Sequence, residues 1–273
     1  MASFFIYKVC PNFFYFFPFL IIYIQYILSL YHNMGVHLID LIFPRQCIHC
    51  WVIWAYLCTS CKKRLQPHPE ICPYCHRFSK DYRTCIECKT NKNNYLEGII
   101  IPFVYTDLLK TLIIKLKYFH KKDIWNFLIE RLDIALQANQ SLQYELAYYH
   151  HPKKKFRISF IPSHRYRNYF IKWYNQSKIL AKKLSIYKNI PMISVAQKNK
   201  HTKTQASLDR KGRIINLKNT FSLTQKLNFT GEEIVLIIDD ITTTGSTINE
   251  VAKCIKQKYP NIKIRWMVVG RHI

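Results

Sequence analysis

Eight of the ten cysteines of this chain stand in Cys-x-x-Cys pairs. This spacing lets two thiolates from one tight turn occupy neighbouring corners of a tetrahedron, and a second pair completes a four-sulfur site of the kind that holds structural zinc. Pairing each turn with its nearest neighbour along the chain predicts two zinc sites. Their ligands are Cys47, Cys50, Cys58 and Cys61 in the first, and Cys72, Cys75, Cys85 and Cys88 in the second.

Other chemistries use the same thiolates. Disulfides need an oxidising compartment, whereas the chain shows no small-residue cleavage site of a secretory signal. The string from Cys72 to Cys75 is similar to a redox-active pair, and His76 extends it to a haem-attachment string. Neither explains the other three pairs. An iron–sulfur cluster also takes four thiolates and stays open as the alternative to zinc.

A second group of polar residues follows the apolar run at positions 234–238. Two carboxylates come directly after this run, and hydroxyl residues with one glycine lead into an apolar-periodic helix. Such a turn offers backbone N–H groups, hydroxyl donors and the positive end of a helix to a phosphate. The carboxylates suit ribose hydroxyls, directly or through a cation. The residues are Asp239, Asp240, Thr242, Thr243, Thr244, Gly245, Ser246 and Thr247.

The elements that must position this turn alternate along the second part of the chain. Apolar runs predict strands, and segments with helical periodicity separate them, which indicates an α/β fold with a parallel sheet flanked by helices. The predicted strands are 98–104, 158–161, 191–195, 234–238 and 264–269. The predicted helices are 107–117, 124–138, 173–184 and 246–258. We expect residues 139–157, polar and then lysine-rich, to form a surface connection.

The chain has 273 residues and a formal net charge of +25, and 49% of its residues are hydrophobic, which excludes a disordered tail protein. Between positions 150 and 220 it carries eighteen Lys or Arg residues and one acid, Asp209. This imbalance favours a phosphate-bearing partner over a surface of interleaved ion pairs.

The N-terminus has two interpretations. Residues 13–31 carry no charge and are long enough to span a bilayer as a helix, which would tether a cytoplasmic protein to the inner face of the membrane. Alternatively, Met34 is the true start and residues 1–33 are upstream sequence. We therefore divide the chain into the N-terminal segment 1–33, a double zinc ribbon at 34–94 and an α/β domain at 95–273.

The segment from 234 to 247 resembles the phosphoribosyl-pyrophosphate (PRPP) signature of type I phosphoribosyltransferases. The resemblance implies that Asp239 and Asp240 contact the ribose and that the turn from Thr242 to Thr247 holds its 5′-phosphate. It also implies that Mg²⁺ bridges the pyrophosphate and ribose oxygens.

Three further stretches are similar to the ComF family of competence-associated phosphoribosyltransferase-like proteins, in which a cysteine-paired zinc ribbon precedes the transferase domain. The first runs from Ile161 to Arg167 and continues at Lys172–Ser177. The second is a basic loop that matches at Thr202, Lys203, Gln205, Leu208, Arg210, Arg213, Asn216 and Phe221. The third is the first helix, matched at Tyr105, Leu108 and 116–118.

This resemblance adds candidate residues and partners. His164, Arg165 and Arg167 follow a predicted strand end, where we expect them to bind pyrophosphate, and Lys203, Arg210 and Arg213 would close over it from the loop. The family name implies single-stranded DNA and the competence machinery, such as a DNA-translocating helicase, as partners.

Two functions stay open. One is a PRPP-binding protein that handles transforming DNA during uptake, and the other is a phosphoribosyltransferase of nucleobase or nucleotide salvage. No residue clearly recognises a nucleobase. Trp173 stands where the family usually has glycine, which puts turnover in more doubt than binding.

Overall fold

The computed structural model describes residues 44–119, 122–148, 156–163, 175–199, 220–224, 227–231 and 233–271. Two compact units divide between Cys58 and Thr59. The hydrophobic segment 1–33 and the alternative start at Met34 lie outside the described residues. None of the helices formed by the described residues is long and apolar enough to cross a membrane.

The first unit contains a tight hairpin turn around Cys47 and Cys50. An isolated antiparallel bridge pairs Gln46 with Ile53. The amide of Cys47 donates to Val52 O at 2.8 Å, and the amide of Trp51 donates back to Cys47 O at 2.9 Å. These bonds fold the Cys-x-x-Cys segment into one turn, as the spacing predicts.

The second unit is built on a parallel sheet. Its strands are β1 (Gly98–Ile100), β2 (Phe103–Val104), β3 (Phe156–Phe160), β6 (Ile234–Thr242) and β7 (Lys263–Arg271). Their order is β1-β7-β6-β3, and β2 also pairs with β7. Every pairing in this sheet is parallel, which confirms the prediction. Two shorter strands, β4 (Ala196–Lys198) and β5 (Phe221–Leu223), form a separate antiparallel pair.

Short elements carry the cysteines ahead of this sheet. They are α1 (Thr59–Lys63), a 3-10 turn at Lys80–Tyr82 and α2 (Ile86–Lys89). Isolated antiparallel bridges join Pro67 to Phe103 and Arg83 to Gly98. This segment therefore continues the sheet beyond β1 instead of leaving that edge bare.

Four of the longer helices lie close to their predicted positions. They are α3 (Asp107–Phe119), α4 (Lys122–Ala138), α6 (Gln176–Lys188) and α7 (Ser246–Lys258). α6 begins three residues later than predicted, because the side chain of Asn175 caps its first turn by accepting from the amide of Lys178. It ends four residues later than predicted, where Asn189 takes the left-handed conformation that terminates the helix.

The prediction of a surface connection at 139–157 is wrong over its first half, which forms α5 (Gln140–Tyr148). The side-chain oxygen of Asn139 accepts from the amide of Leu142 at 2.9 Å, and Leu142 is fully buried. One buried leucine in a polar stretch gives too little periodicity to predict a helix. Its place is fixed instead by Glu145, whose carboxylate accepts from Arg265 at 2.9 and 3.1 Å.

The predicted strand at 191–195 is also wrong. Residues 191–193 lie alongside β3 and form only two backbone hydrogen bonds with it, from Ile158 N to Pro191 O and from Ile193 N to Ile158 O. Since proline has no amide hydrogen, Pro191 cannot extend the ladder. The regular strand β4 starts at Ala196.

The core lies on both faces of the sheet. Residues 234–238 of β6 are buried, and α7 covers one face of the sheet with Ile248, Val251 and Ile255. On β7, a Cβ at Gly270 would lie 2.3 Å from Leu109 of α3, so this close contact requires glycine. Along β6, the polar side chains stand at the carboxyl end of the strand, at Asp239, Asp240 and Thr242.

Glu145→Ala should lower the free energy of unfolding by about 3 kcal/mol, because the Arg265 guanidinium is 1% exposed and would lose its carboxylate partner. Urea denaturation measures this change. The control Glu130→Ala removes an exposed carboxylate of α4 and should cost less than about 0.5 kcal/mol. Equal effects of the two substitutions would show that the Arg265 pair does not anchor α5.

Candidate functional site

The two carboxylates lie on the last part of β6, where the strand emerges from the core. Asp239 Oδ1 accepts from Ser177 Oγ at 2.8 Å and from the amide of Asp240 at 2.9 Å. Asp240 Oδ1 accepts from the amide of Ile241 at 2.9 Å. Burial and the neighbouring Asp240 charge raise the pKa of Asp239 well above its usual range, despite these hydrogen bonds. A cation at this position would reverse that effect.

The start of α6 supplies the partner of Asp239. Because β3 and β6 are adjacent and parallel, the segment leaving β3 begins its helix at the same edge of the sheet as the carboxylates. The side-chain amide of Asn175 donates to Ile161 O at 2.8 Å and fixes this start. Ser177, in the first turn, then reaches Asp239.

The turn after β6 places a glycine and several hydroxyl groups at the start of α7. Gly245, at the N-cap of α7, has φ 74° in the left-handed region, and a Cβ there would lie 3.1 Å from the buried Trp266 ring. The hydroxyl groups of Thr244 and Ser246 lie 2.8 Å apart. The amides at the start of α7 and these hydroxyls lie at one helix terminus, where an anion is favoured.

Tyr105 lies near the carboxylates on the β7 side of β6, whereas Ser177 lies on the β3 side. Its amide donates to Arg271 O, the last residue of β7, at 2.8 Å. Burial, followed by the charges of Asp240 and Asp107, raises the pKa of the Tyr105 phenol. This position in the first helix segment is one of those that carry the resemblance described above.

The eight paired cysteines form two groups, as predicted. Within each group the four sulfur atoms all lie within 4.8 Å of one another: Cys47, Cys50, Cys58 and Cys61 in one, and Cys72, Cys75, Cys85 and Cys88 in the other.

The sulfur separations match a tetrahedral metal site. The Sγ atoms of Cys50 and Cys58 are 3.5 Å apart, and those of Cys75 and Cys85 are 3.6 Å apart. Zinc–sulfur bonds of about 2.3 Å place tetrahedral sulfurs about 3.8 Å from one another. Each set of thiolates therefore fits zinc.

The turn of the second cysteine group contacts α7 and the end of β7. The Tyr74 hydroxyl, between Cys72 and Cys75, donates to the side chain of Asn249 in α7 at 2.8 Å. Arg271 at the end of β7 donates to Pro73 O at 3.4 Å and contacts the His76 ring. The amide of His76 donates to Cys72 O at 3.1 Å, so His76 lies in the turn beside the cysteines.

Several predicted site residues lie outside the described part of the chain. They are His164, Arg165 and Arg167 of the basic turn, Trp173, and Thr202, Lys203, Gln205, Arg210 and Arg213 of the basic loop. Their predicted roles in binding pyrophosphate stay predictions.

Two contacts were not predicted from the sequence. Ser177 ends the matched stretch Lys172–Ser177, and the parallel order of β3 and β6 is the signal that places it beside Asp239. Tyr74 stands between Cys72 and Cys75, and nothing in its spacing indicates a partner 175 positions away.

Comparison with known proteins identifies relatives over most of the chain. Competence protein F of Haemophilus influenzae is 30% identical over 79% of this chain and 92% of its own length. Competence protein ComFC of Bacillus subtilis is 24% identical over 74% of this chain and 78% of its own length. DNA utilization protein YhgH of Escherichia coli is 28% identical over 72% of this chain and 82% of its own length.

No family model matches the chain. Among solved structures, the AQ2163 protein from Aquifex aeolicus aligns with a TM-score of 0.24 and 12% identity, over 64% of this chain and 89% of that one.

The full chain should bind two equivalents of zinc, and Cys58→Ser should retain one, because three thiolates no longer close the first tetrahedral site. Metal analysis of the purified protein measures this, and iron with acid-labile sulfide would instead indicate a cluster. Cys254→Ser is the control, since Cys254 lies outside both groups and should leave two equivalents. Two equivalents in Cys58→Ser would contradict the grouping.

Asp239→Asn should stabilise the ligand-free protein at neutral pH. The pKa of Asp239 is raised in the folded state. The stability that protonated Asp239 contributes to the folded protein is therefore fully present below the unfolded pKa of about 3.9, and it is lost as the pH rises through the folded pKa. Asparagine does not titrate, and we expect Tm to rise by roughly 2–4 °C at pH 7.5. The gain should disappear near pH 4. A lower Tm for the variant at pH 7.5 would contradict the raised pKa.

Proposed function

Because this chain belongs to the ComF family of competence proteins, we propose that it binds PRPP with Mg²⁺ at the end of β6 and acts in the uptake or handling of single-stranded DNA. The observation that carries the pocket is the carboxylate pair next to a glycine turn at the N-terminus of α7. Neither feature alone selects a phosphorylated sugar, whereas together they match its hydroxyls and its phosphate.

In this proposal the carboxylates bind the ribose hydroxyls. Mg²⁺ supplies the positive charge that balances the carboxylates and the ligand's phosphate oxygens. Asp239 is held by Ser177 and by a backbone amide, so one of its oxygens is fixed in direction. Mg²⁺ prefers carboxylate, phosphate and water oxygens, which this edge and the ligand supply together. Binding of the cation would lower the raised pKa of Asp239 and keep the pair ionised.

The 5′-phosphate is assigned to the turn that precedes α7. Gly245 allows the left-handed turn against the Trp266 ring that brings the chain into α7, and the hydroxyls of Thr244 and Ser246 are close enough together to share one phosphate. The dipole of α7 adds a favourable electrostatic interaction with the phosphate, which is confined to the first turn of the helix.

The DNA role is supported by the relatives and by charge. Two of them are named for competence and one for DNA utilization. The chain has a formal net charge of +25, which favours polyanions over acidic or neutral partners.

Calorimetry on the full chain should detect PRPP binding that requires Mg²⁺. Asp240→Asn should weaken this affinity at least tenfold, because it removes a charge that faces the ribose and its cation. Glu130→Gln, which removes an exposed charge of α4, should bind like the wild type. Equal binding by Asp240→Asn, or no binding by the wild type, would refute the pocket assignment.

Binding of a short single-stranded oligonucleotide should weaken steeply between 50 and 200 mM salt, since released counterions drive it. Fluorescence anisotropy measures the slope. A protein that shows no such affinity but releases pyrophosphate from PRPP with an added nucleobase would instead be a salvage transferase, and the DNA role would be dropped.

A further inference from the structure

The Tyr74 hydroxyl uses all of its hydrogen-bonding capacity. It accepts from the amides of Tyr95 at 2.8 Å and Leu96 at 2.9 Å, and it donates to Asn249 Oδ1 at 2.8 Å. A phenol offers one donor and two acceptor positions, so no capacity is left over. The residue therefore joins the second cysteine group, the segment before β1 and α7 through one oxygen atom.

The helix side of this contact is one turn from the proposed phosphate site. The amide of Asn249 donates to Gly245 O at 3.0 Å, which closes the first turn of α7. Its side-chain amide donates to Asn93 O at 2.9 Å. The carbonyl oxygen and the NH₂ group of the Asn249 side chain are thus both bound by the segment that carries the second cysteine group. These bonds also hold the N-terminus of α7.

Packing and hydrogen bonds both join Tyr74 to α7, since its ring packs against the core cluster that includes Ile248. A cleft of about 190 Å³ lies beside this contact, with Pro73 and Tyr74 on one side and Thr244, Gly245 and Ser246 on the other. The Tyr74–Asn249 hydrogen bond adds a directional contact between the two segments at this cleft.

A second connection runs through β7. Arg271 contacts Pro73 and His76 on the cysteine turn, and its register partner on β6 is Thr242, the first hydroxyl residue of the phosphate turn. The guanidinium is 1% exposed, so burial fixes it in this arrangement. The cysteine turn is therefore attached to both ends of the phosphate turn, at Thr242 and at Asn249.

We propose that Tyr74 is a positioning residue for the phosphate turn, through which the metal-holding cysteine turn sets the geometry that receives the 5′-phosphate. The proposal rests on the proposed PRPP site, which it deepens by giving the second cysteine group a role in ligand binding. Since coupling between two binding events is reciprocal, PRPP should also raise the affinity of the second group for zinc.

Tyr74→Phe tests the role because it removes the hydroxyl and keeps the ring. We expect PRPP affinity to fall about five- to tenfold, which is the effect of losing one well-placed hydrogen bond. Zinc content should stay at two equivalents. Asn249→Ala removes this contact and the one to Asn93, so it should weaken PRPP binding at least as much. The double variant should bind no more weakly than Asn249→Ala alone, because the contact with Tyr74 is already lost there.

Thr84→Val is the matched control. The buried Thr84 hydroxyl donates to Leu96 O at 2.6 Å, so its loss also perturbs the segment before β1, but it makes no contact with α7. We expect Thr84→Val to lower Tm about as much as Tyr74→Phe while changing PRPP affinity less than twofold. A similar loss of PRPP affinity in both variants would show general destabilisation and overturn the positioning role.

Amide hydrogen exchange of the ligand-free protein separates this inference from the PRPP proposal. In Tyr74→Phe, but not in Thr84→Val, exchange should accelerate at the amides of 244–249. If wild-type protein binds no PRPP, the proposed function fails, and this exchange result still decides whether Tyr74 positions the turn. Unchanged exchange in Tyr74→Phe overturns the inference, whatever the affinity of the wild type.

Discussion

The central strand β6 is hydrogen-bonded on both edges, to β3 and to β7, and the side chains of its first five residues are buried. A strand held in this way resists sliding, because a shift by one residue would carry Asp239 into the buried stretch or draw Ile238 out of it. The position of Asp239 is therefore set by the core and not by the site itself. The start of α6 and the end of β7 are brought to the same edge by the same parallel register.

The site is held in a state that suits a charged ligand and not the empty protein. Burial and the neighbouring Asp240 charge raise the pKa of Asp239, and Arg271, a buried cation at the end of β7, contacts the cysteine turn instead. Within the part of the chain that the structure describes, no cationic side chain forms an ion pair with these two carboxylates. In the proposed function, the Mg²⁺ of the ligand supplies the positive charge, so binding and ionisation of the pair would be linked.

Local patterns predicted the parts of the fold that depend on local physics. Hydrophobic periodicity and ligand spacing act over a few residues. They therefore predicted the strand at 234–238, the helix at 246–258 and the two cysteine groups. α5 was missed because Glu145 is placed by the buried Arg265, 120 positions away. Ser177 and Tyr74 were missed as partners for the same reason, since only the order of the strands brings them to Asp239 and Asn249.

The second cysteine group is tied to the sheet as closely as the helices are. The amide of Thr84 donates to Glu97 O at 2.9 Å, and the Tyr82 hydroxyl lies within hydrogen-bond distance of His68 O and Ile101 O. These contacts cover the outer edge of β1, which has only three residues and would be marginal by itself. A metal in this group would therefore stabilise the edge of the sheet as well as its own turns. Because β1 pairs with β7, and β7 with β6, that stabilisation reaches the strand that carries Asp239.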